Sequence, residues 1–464
     1  SPQMPTRLVQ LDGLRGPLSL GVVAINVGLY NAGANTPVGF FFVFSGLTSY
    51  LAYHSEAWDD STLSVGNFDA SRGHFFQKRL VRLLPMLLIS AVFQQCACVL
   101  WLFRRGVAEE LVTSGGAFTF VVYLLSSILI FAGSGAVCRG TACGCCQLRK
   151  WPRAPGALVW LILGSYLHGP GWYVGLLLLL NVYFLPKLLA KYGAAWRAAP
   201  PSWLVLLGWA SLEGLQFGLP LLVYVFTDPS DPVAAAHAAG ISDCGAACRS
   251  WFDGVNWYFA TLYLYLGLPP LFRLVTFVFG LHIGRWALAY GERASEPDNV
   301  YEAKTMLPVL ATALVVTTLH GFLEPEPEMH RPTTGSTPLQ WVAIHLIHPF
   351  NTLALLCGLV SAPKSLIARA LASPPFQLLA ELSYAIYLLH CAVCHVYVFT
   401  LGRTWYAEIE KLQTSADAPI LNALDYLAVC ALTTALAYPV TRFVEPKVAA
   451  WLKSRFAAAS PELL

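Results

Sequence analysis

The chain has 464 residues, of which 12% are charged and 56% are hydrophobic. Because about 25% of the residues in ordinary soluble domains are charged, this composition excludes a soluble globular protein. The net charge of +3 is dispersed along the sequence instead of forming a basic face, which excludes nucleic acid as the main partner.

Apolar segments recur along the whole sequence, and we interpret it as an all-α, multi-pass transmembrane helix bundle surrounded by membrane lipids. A crossing helix needs about 20 mainly apolar residues, so the chain is long enough for ten or more crossings. The thirteen candidate segments are residues 17–30, 39–53, 80–103, 117–133, 157–168, 170–186, 203–226, 256–269, 271–290, 306–320, 339–361, 376–400 and 420–440.

The basic residues predict the orientation of this bundle. If the first four segments cross, ten basic residues fall on the side of the N-terminus and only Arg104 and Arg105 fall on the other side. Basic loops stay on the inner side of a membrane, and the tail from Arg442 onward is basic as well. Both termini are therefore predicted on the same positive-inside face. Termini on the same face require an even number of crossings, and we expect about ten to twelve. At least one of the thirteen segments then does not cross, and the short segments 157–168 and 256–269 are the candidates for re-entrant helices.

The domain organisation predicted from this pattern is simple. The sequence contains no repeat of fixed period and no low-complexity tract, so we expect residues 1–464 to form a single membrane domain. Two cysteine-containing loops, residues 134–156 and 227–255, are interpreted as insertions into it.

Cysteines and histidines form three patterns that are similar to metal or haem sites. The four cysteines of the loop 134–156 are either free or locally paired thiols or a zinc site. His345 and His348 share one helix face, but no carboxylate or cysteine is near them in the sequence. Cys391–His395 matches the Cys-x-x-Cys-His pattern of haem attachment, although it lies inside an apolar helix. We predict neither a metal site nor a resident cofactor.

Three short motifs stand in the first 85 residues. Leu11–Gly16 reads Leu-Asp-Gly-Leu-Arg-Gly and leads into the first apolar segment. Gly39–Gly46 follows, with four phenylalanines and a serine between two glycines. Phe75–Pro85 opens the third segment and contains two arginines three residues apart.

Three more motifs follow downstream. Trp172 and Tyr173 precede Tyr183 by about ten residues, Leu382–His390 reads Leu-Ser-Tyr-Ala-Ile-Tyr-Leu-Leu-His, and Val444–Pro446 reads Val-Glu-Pro. In this order, the six motifs resemble those of the acyltransferase-3 family of integral-membrane acyltransferases.

The resemblance implies transfer of an acyl group from acyl-CoA to a carbohydrate, lipid or other acceptor. The donor carries phosphates, which guanidinium groups bind bidentately, and Arg79 and Arg82 share one helix face. The same two arginines would also serve as inside-facing helix anchors. Asp12 and Arg15 are implied to shape the site, and a solvated helix start is their alternative role. The further implied residues are Ser45, Trp172 and Tyr387 for substrate binding and His390 for proton handling.

The sequence departs from the family pattern at two polar positions. The family places a histidine ten residues after the last glycine of the first motif, as general base, and Asn26 stands there. An amide can orient an acceptor but cannot take its proton, so the 100-fold or greater contribution of a general base would be lost. A glutamate that relatives carry after the tryptophan is replaced by the leucine run Leu176–Leu180. We therefore expect acyltransferase activity to be impaired or lost.

Two other functions compete with this one. A descendant without catalytic activity would keep the bundle and serve as an accessory or structural subunit of a larger membrane protein complex. A transporter would account for the histidines in apolar segments, but the sequence lacks the paired interrupted segments that inverted repeats leave.

Overall fold

The structure, a computed structural model, describes residues 8–26, 35–56, 82–97, 124–130, 171–185, 202–227, 270–293, 338–401 and 423–459, with the single positions 100 and 188. Every regular element in these ranges is helical, which confirms the all-α class. The predicted segments 157–168, 256–269 and 306–320 and the loop 134–156 lie outside the described residues. The single-domain organisation and the number of crossings stay predictions.

The helices follow the predicted apolar segments, with three larger differences. The first helix begins at Val9 instead of residue 17, so that the first motif is helical. The last apolar segment continues through a π-helical turn into a further helix, and a short helix precedes α10. The helices are α1 (Val9–Asn26), α2 (Asn35–Glu56), α3 (Arg82–Ala97), α4 (124–130), α5 (Trp172–Leu179), α6 (Trp203–Thr227), α7 (Pro270–Arg293), α8 (Pro338–Ser361), α9 (Leu366–Leu371), α10 (Pro374–Leu401), α11 (Ala423–Pro439) and α12 (Glu445–Ala459).

Two of the described helical stretches are long and apolar enough to cross a membrane. They cover Pro374–Tyr397 and Leu424–Ser454, with mean hydropathies of 1.4 and 1.5. The second one runs through α11, the π-helical turn Val440–Val444 and most of α12 without a break. A second π-helical turn, Leu180–Phe184, directly continues α5.

The described residues form two compact units. Unit 1 comprises Ser1–Leu11, Tyr30–Tyr50 and Pro201–Arg369, and unit 2 comprises Asp12–Leu29, Leu51–Pro200 and Ala370–Leu464. In unit 1, helices α6, α7 and α8 pack against one another. In unit 2, α10 packs against α11 and the π-helical turn that follows it.

Glycines allow two helices of unit 1 to approach closely. A methyl group at Gly280 of α7 would overlap the carbonyl of Val43 in α2, and one at Gly46 would overlap the carbonyl of Phe277. Since small residues at a crossing let two backbones come together, this pair of glycines determines the contact of α2 with α7.

The two glycines of the first motif have the same role in unit 2. A methyl group at Gly13 would overlap the carbonyl of Leu371, and one at Gly16 would overlap Leu379 of α10. The motif is therefore partly a packing element, because its glycines bring α1 against the start of α10.

Polar side chains add hydrogen bonds between the helices of unit 2. Tyr384 of α10 donates from its hydroxyl to the carbonyl of Leu83 in α3 at 2.8 Å. Tyr397 at the other end of α10 donates to Oδ1 of buried Asp425 in α11 at 2.8 Å. These contacts hold α10 between α3 and α11.

Candidate functional site

The candidate site lies on α10, around the motif Leu382–His390. Tyr384, Tyr387 and His390 are three residues apart, so that their side chains follow one another along one side of the helix. Tyr387 and His390 are buried, with ring centroids 6.0 Å apart. Their position was predicted from the motif, and the structure brings both into one aromatic cluster.

The mid-chain motif contributes to the same cluster. Tyr173 in the first turn of α5 contacts Tyr387 edge to face, with ring centroids 5.3 Å apart. Trp172 begins α5, but its side chain is outside the described part of the structure. Of these two aromatic residues, sequence reasoning assigned the site role to Trp172, and the structure adds Tyr173.

Hydrogen bonds determine the tautomer of His390, which is 1% exposed. Its Nδ1 lies 2.6 Å from the carbonyl oxygen of Tyr387. A carbonyl oxygen only accepts, so Nδ1 carries the proton and Nε2 is left as an acceptor. Nε2 lies 3.3 Å from Sγ of Cys391, which can donate its thiol proton to it.

A second polar pair lies one turn further along α10. Nδ1 of His395 is 2.8 Å from the carbonyl oxygen of Cys391, and Nε2 of Gln94 in α3 is 3.3 Å from the same ring nitrogen. Oε1 of Gln94 is buried and has no hydrogen-bond partner within the described ranges. The sequence analysis assigned no role to Gln94 or His395.

Charged groups from two motifs, Arg82 and Glu445, lie near Tyr384. Arg82 begins α3 with an exposed side chain, and it lies close enough to act electrostatically on the Tyr384 hydroxyl and the Glu445 carboxylate. Glu381 of α10 also acts on Glu445, and it forms an ion pair of 2.8 Å with Arg442. Arg82 is thus an exposed guanidinium near the Glu445 carboxylate and the Tyr384 hydroxyl.

The other predicted residues are distributed differently. Asp12 and Arg15 are both half-buried in α1 of unit 2, one turn apart as their spacing requires. Ser45 is buried in α2 and belongs to unit 1. Arg79 lies outside the described residues, and of Asn26 the structure describes only the backbone at the end of α1.

The leucine run after Trp172 is part of the protein interior. Leu176, Leu177, Leu178 and Leu180 are all buried. Where the resemblance leads one to expect a carboxylate, the chain therefore packs aliphatic side chains, and these cannot transfer a proton.

Unit 1 contains a buried charged cluster that the sequence analysis did not identify. Oγ1 of Thr276 donates to Oε1 of Glu213 at 2.6 Å, and the guanidinium of Arg273 acts electrostatically on the same carboxylate. Arg273 also lies over the ring of Phe42, 5.2 Å from its centroid. An isolated Glu or Arg inside an apolar segment is the signal that would have found this cluster.

Another histidine of unit 1 packs against an aromatic ring. The ring of His282 in α7 stacks on Trp209 of α6, with centroids 5.5 Å apart and planes 27° apart. This contact gives the histidine a packing role between two helices. The predicted pair His345 and His348 lies in α8, but their side chains are outside the described residues.

The geometry combines groups with complementary chemistry. An exposed guanidinium can bind a phosphate, an uncharged imidazole nitrogen can accept a proton, and buried aromatic rings exclude water from the groups between them.

Comparisons with known proteins agree with the motifs. A family model described as an acyltransferase domain, acyltransferase-3, matches residues 8–442, which is nearly the whole chain. This range contains five of the six motifs, and Val444–Pro446 follows it directly. No curated protein and no solved structure matches the chain.

Proposed function

The chain belongs to the acyltransferase-3 family of membrane proteins, and on that basis we propose that it transfers an acyl group from acyl-CoA to an acceptor, at reduced activity. The observation that carries this proposal is the convergence of four motifs in unit 2. Arg82, Tyr173, the pair Tyr387 and His390, and Glu445 each come from a different motif. Together they supply a guanidinium, an imidazole, a carboxylate and aromatic rings within one unit.

The donor is proposed to bind through the arginines of the third motif. Arg82 is exposed at the start of α3, where a phosphate can reach it from outside the bundle. Arg79 stands three residues earlier in the sequence, and we propose that its guanidinium contacts a phosphate next to the one bound by Arg82. The acyl chain would then extend toward the aromatic rings of Tyr173 and Tyr387.

The reduced activity follows from Asn26 and from the buried leucines after Trp172. Neither an amide nor an aliphatic side chain accepts a proton, so the acceptor would not be deprotonated as in relatives. Both termini are proposed to lie on the positive-inside face, where acyl-CoA is available in the cytoplasm.

Binding of acyl-CoA tests this proposal without knowledge of the acceptor. Radiolabelled acetyl-CoA and palmitoyl-CoA are titrated onto the detergent-solubilised full chain and its Arg82→Ala and Arg79→Ala variants. Loss of one phosphate contact is expected to weaken binding about tenfold or more. Arg369→Ala is the matched control, because Arg369 is exposed in α9 and outside the motifs. If all three variants bind like the wild type, the donor assignment is wrong.

A second candidate function is that of a non-catalytic accessory subunit. The specific observation in its favour is that Leu176 and Leu178 fill the interior where the resemblance leads one to expect a polar group. This candidate predicts extraction in a large stoichiometric complex. A particle of one 50.6 kDa chain with its micelle, together with acyl-CoA turnover, would contradict it.

A further inference from the structure

We propose that Cys391 is a covalent acyl acceptor, with His390 as its proton acceptor, so that the reaction proceeds through a thioester on the protein. The inference rests on the proposed function, since it needs acyl-CoA as the donor. It adds a nucleophile that the family resemblance does not include.

The geometry of the pair carries the proposal. The proton on Nδ1 of His390 is held by the Tyr387 carbonyl at 2.6 Å, which directs the lone pair of Nε2 toward Sγ of Cys391 at 3.3 Å. A nucleophile within hydrogen-bond reach of a base, with the base oriented by a third group, is the arrangement of known nucleophilic catalysts. Here the orienting group is a backbone carbonyl of the same helix.

Accessibility separates Cys391 from its neighbours. Cys391 is half-buried, whereas Cys394 on the same helix and Cys430 on α11 are buried. Cys391 is therefore the most exposed residue of these three. Cys394 provides a matched control, because it differs from Cys391 by one helical turn.

A buried polar atom nearby points to a ligand. Gln94 is 2% exposed and contacts His395, whose ring in turn contacts the Cys391 carbonyl. Its Oε1 has no hydrogen-bond partner within the described part of the chain. Nδ1 of His395 donates to the Cys391 carbonyl and so cannot accept from the Gln94 NH2 group, which leaves the buried amide without a complementary partner within the described residues. A buried polar group without a partner is costly, and a polar group of a bound substrate would satisfy it.

The proposed step is a transthioesterification. The Cys391 sulfur attacks the carbonyl carbon of the acyl-CoA while its proton moves to Nε2 of His390. The new carbon–sulfur bond forms, the bond to the CoA sulfur breaks, and the proton passes from His390 to the CoA thiolate. The products are acyl-Cys391 and free CoA, with no net change in protons or oxidation state.

This step would compensate for Asn26. In relatives the first-helix histidine activates the acceptor hydroxyl, whereas here the acyl group would first be stored on the protein. Transfer to an acceptor hydroxyl would follow with His390 taking its proton.

The experiment follows acylation and CoA release in the same samples. The solubilised full chain is incubated with radiolabelled acetyl-CoA and palmitoyl-CoA, and the labelled residue is located by mass spectrometry before and after treatment with neutral hydroxylamine, which cleaves thioesters. Cys391→Ala, His390→Asn and Cys394→Ser are compared with the wild type. Thermal unfolding of each variant confirms that it is folded.

The expected result is a hydroxylamine-labile label on Cys391, with an initial burst of about one CoA per chain. The label is expected to be lost in Cys391→Ala, to form at least tenfold more slowly in His390→Asn and to be unchanged in Cys394→Ser. An equal rate in His390→Asn would identify ordinary chemical acylation and overturn the proposal.

The remaining outcomes separate this inference from the proposed function. Turnover that continues in Cys391→Ala without any protein label would overturn the nucleophile and leave the acyltransferase function intact. A His390-dependent label in a chain whose Arg82→Ala and Arg79→Ala variants bind acyl-CoA like the wild type would support the nucleophile and contradict the proposed donor site. Neither label nor CoA release in the wild type would overturn both.

Discussion

Thr276 of α7 donates a hydrogen bond of 2.6 Å to Glu213 of α6, in a part of unit 1 where both side chains are almost fully buried. The second carboxylate oxygen of Glu213 has no hydrogen-bond partner within the described ranges. Arg273, 0% exposed, provides the neighbouring positive charge. The contact of α6 with α7 thus depends on charged groups held away from water.

Removing one charge of this cluster is expected to destabilise unit 1 strongly. Glu213→Leu takes away the negative charge beside the buried Arg273, which costs about 3–5 kcal/mol for a buried pair. The double variant Glu213→Leu/Arg273→Met should lose less than the sum of the two single variants, because it leaves no isolated charge. Unfolding in mixed detergent micelles measures the four free energies, and additive effects would show that the two groups are not coupled.

Glycine substitutions test the close contact between α2 and α7. Gly280→Ala is expected to force the helices apart, since the new methyl would overlap the Val43 carbonyl. The cost should be about 1–3 kcal/mol, as for other overpacked positions. Gly208→Ala in α6 is the matched control, because no atom lies within 4 Å of the new methyl and Ala is the better helix former. Equal unfolding temperatures for both variants would contradict this contact.

The hydrogen bond from Tyr397 to Asp425 is expected to contribute to the stability of unit 2. Tyr397→Phe removes the donor to a buried carboxyl group, which costs about 1.5–3 kcal/mol. Thr400→Val provides the comparison, because the Thr400 hydroxyl bonds only within its own helix and is exposed. Thermal unfolding should therefore distinguish the two variants, with Tyr397→Phe lower.

Restoring the family histidine is expected to raise activity. Asn26→His should increase the rate of acyl-CoA cleavage in the presence of an acceptor by about 100-fold, because it returns a general base to the first helix. Asn26→Gln keeps the amide and should leave the rate unchanged. If Asn26→His has no effect, other changes, such as the leucine run, have already removed the acceptor site.

Most of the helices could be predicted from the sequence, because continuous apolar runs have few other stable structures in a bilayer. The start of α1 was misplaced because Gly13 and Gly16 suggest a break, whereas close packing against α10 requires them within a helix. The continuation beyond residue 440 was not predicted because basic residues such as Arg442 and Lys447 follow there, whereas the structure continues the helix through the π-helical turn Val440–Val444.

Only those residues of the candidate site that belong to a sequence motif could be predicted. Tyr387 and His390 were identified from their motif, and the structure confirms only that they lie together. Gln94 and His395 are separated by 301 residues, and Glu213 and Thr276 by 63, so that no local pattern reveals either pair. Such contacts arise from the tertiary packing of helices, which periodicity does not encode.

At the π-helical turn Val440–Val444, the number of residues in the helix determines the direction of the side chains that follow. It places one extra residue in a continuous helix, and each residue rotates the following side chains by about 100°. Without that residue, the Glu445 carboxylate, on which Arg82 now acts electrostatically, would be rotated by about 100° around the helix axis. A single-residue deletion here would thus change which side of the helix carries the charge while leaving hydropathy and composition nearly untouched. A sequence alignment without one-residue gaps would not detect such a deletion.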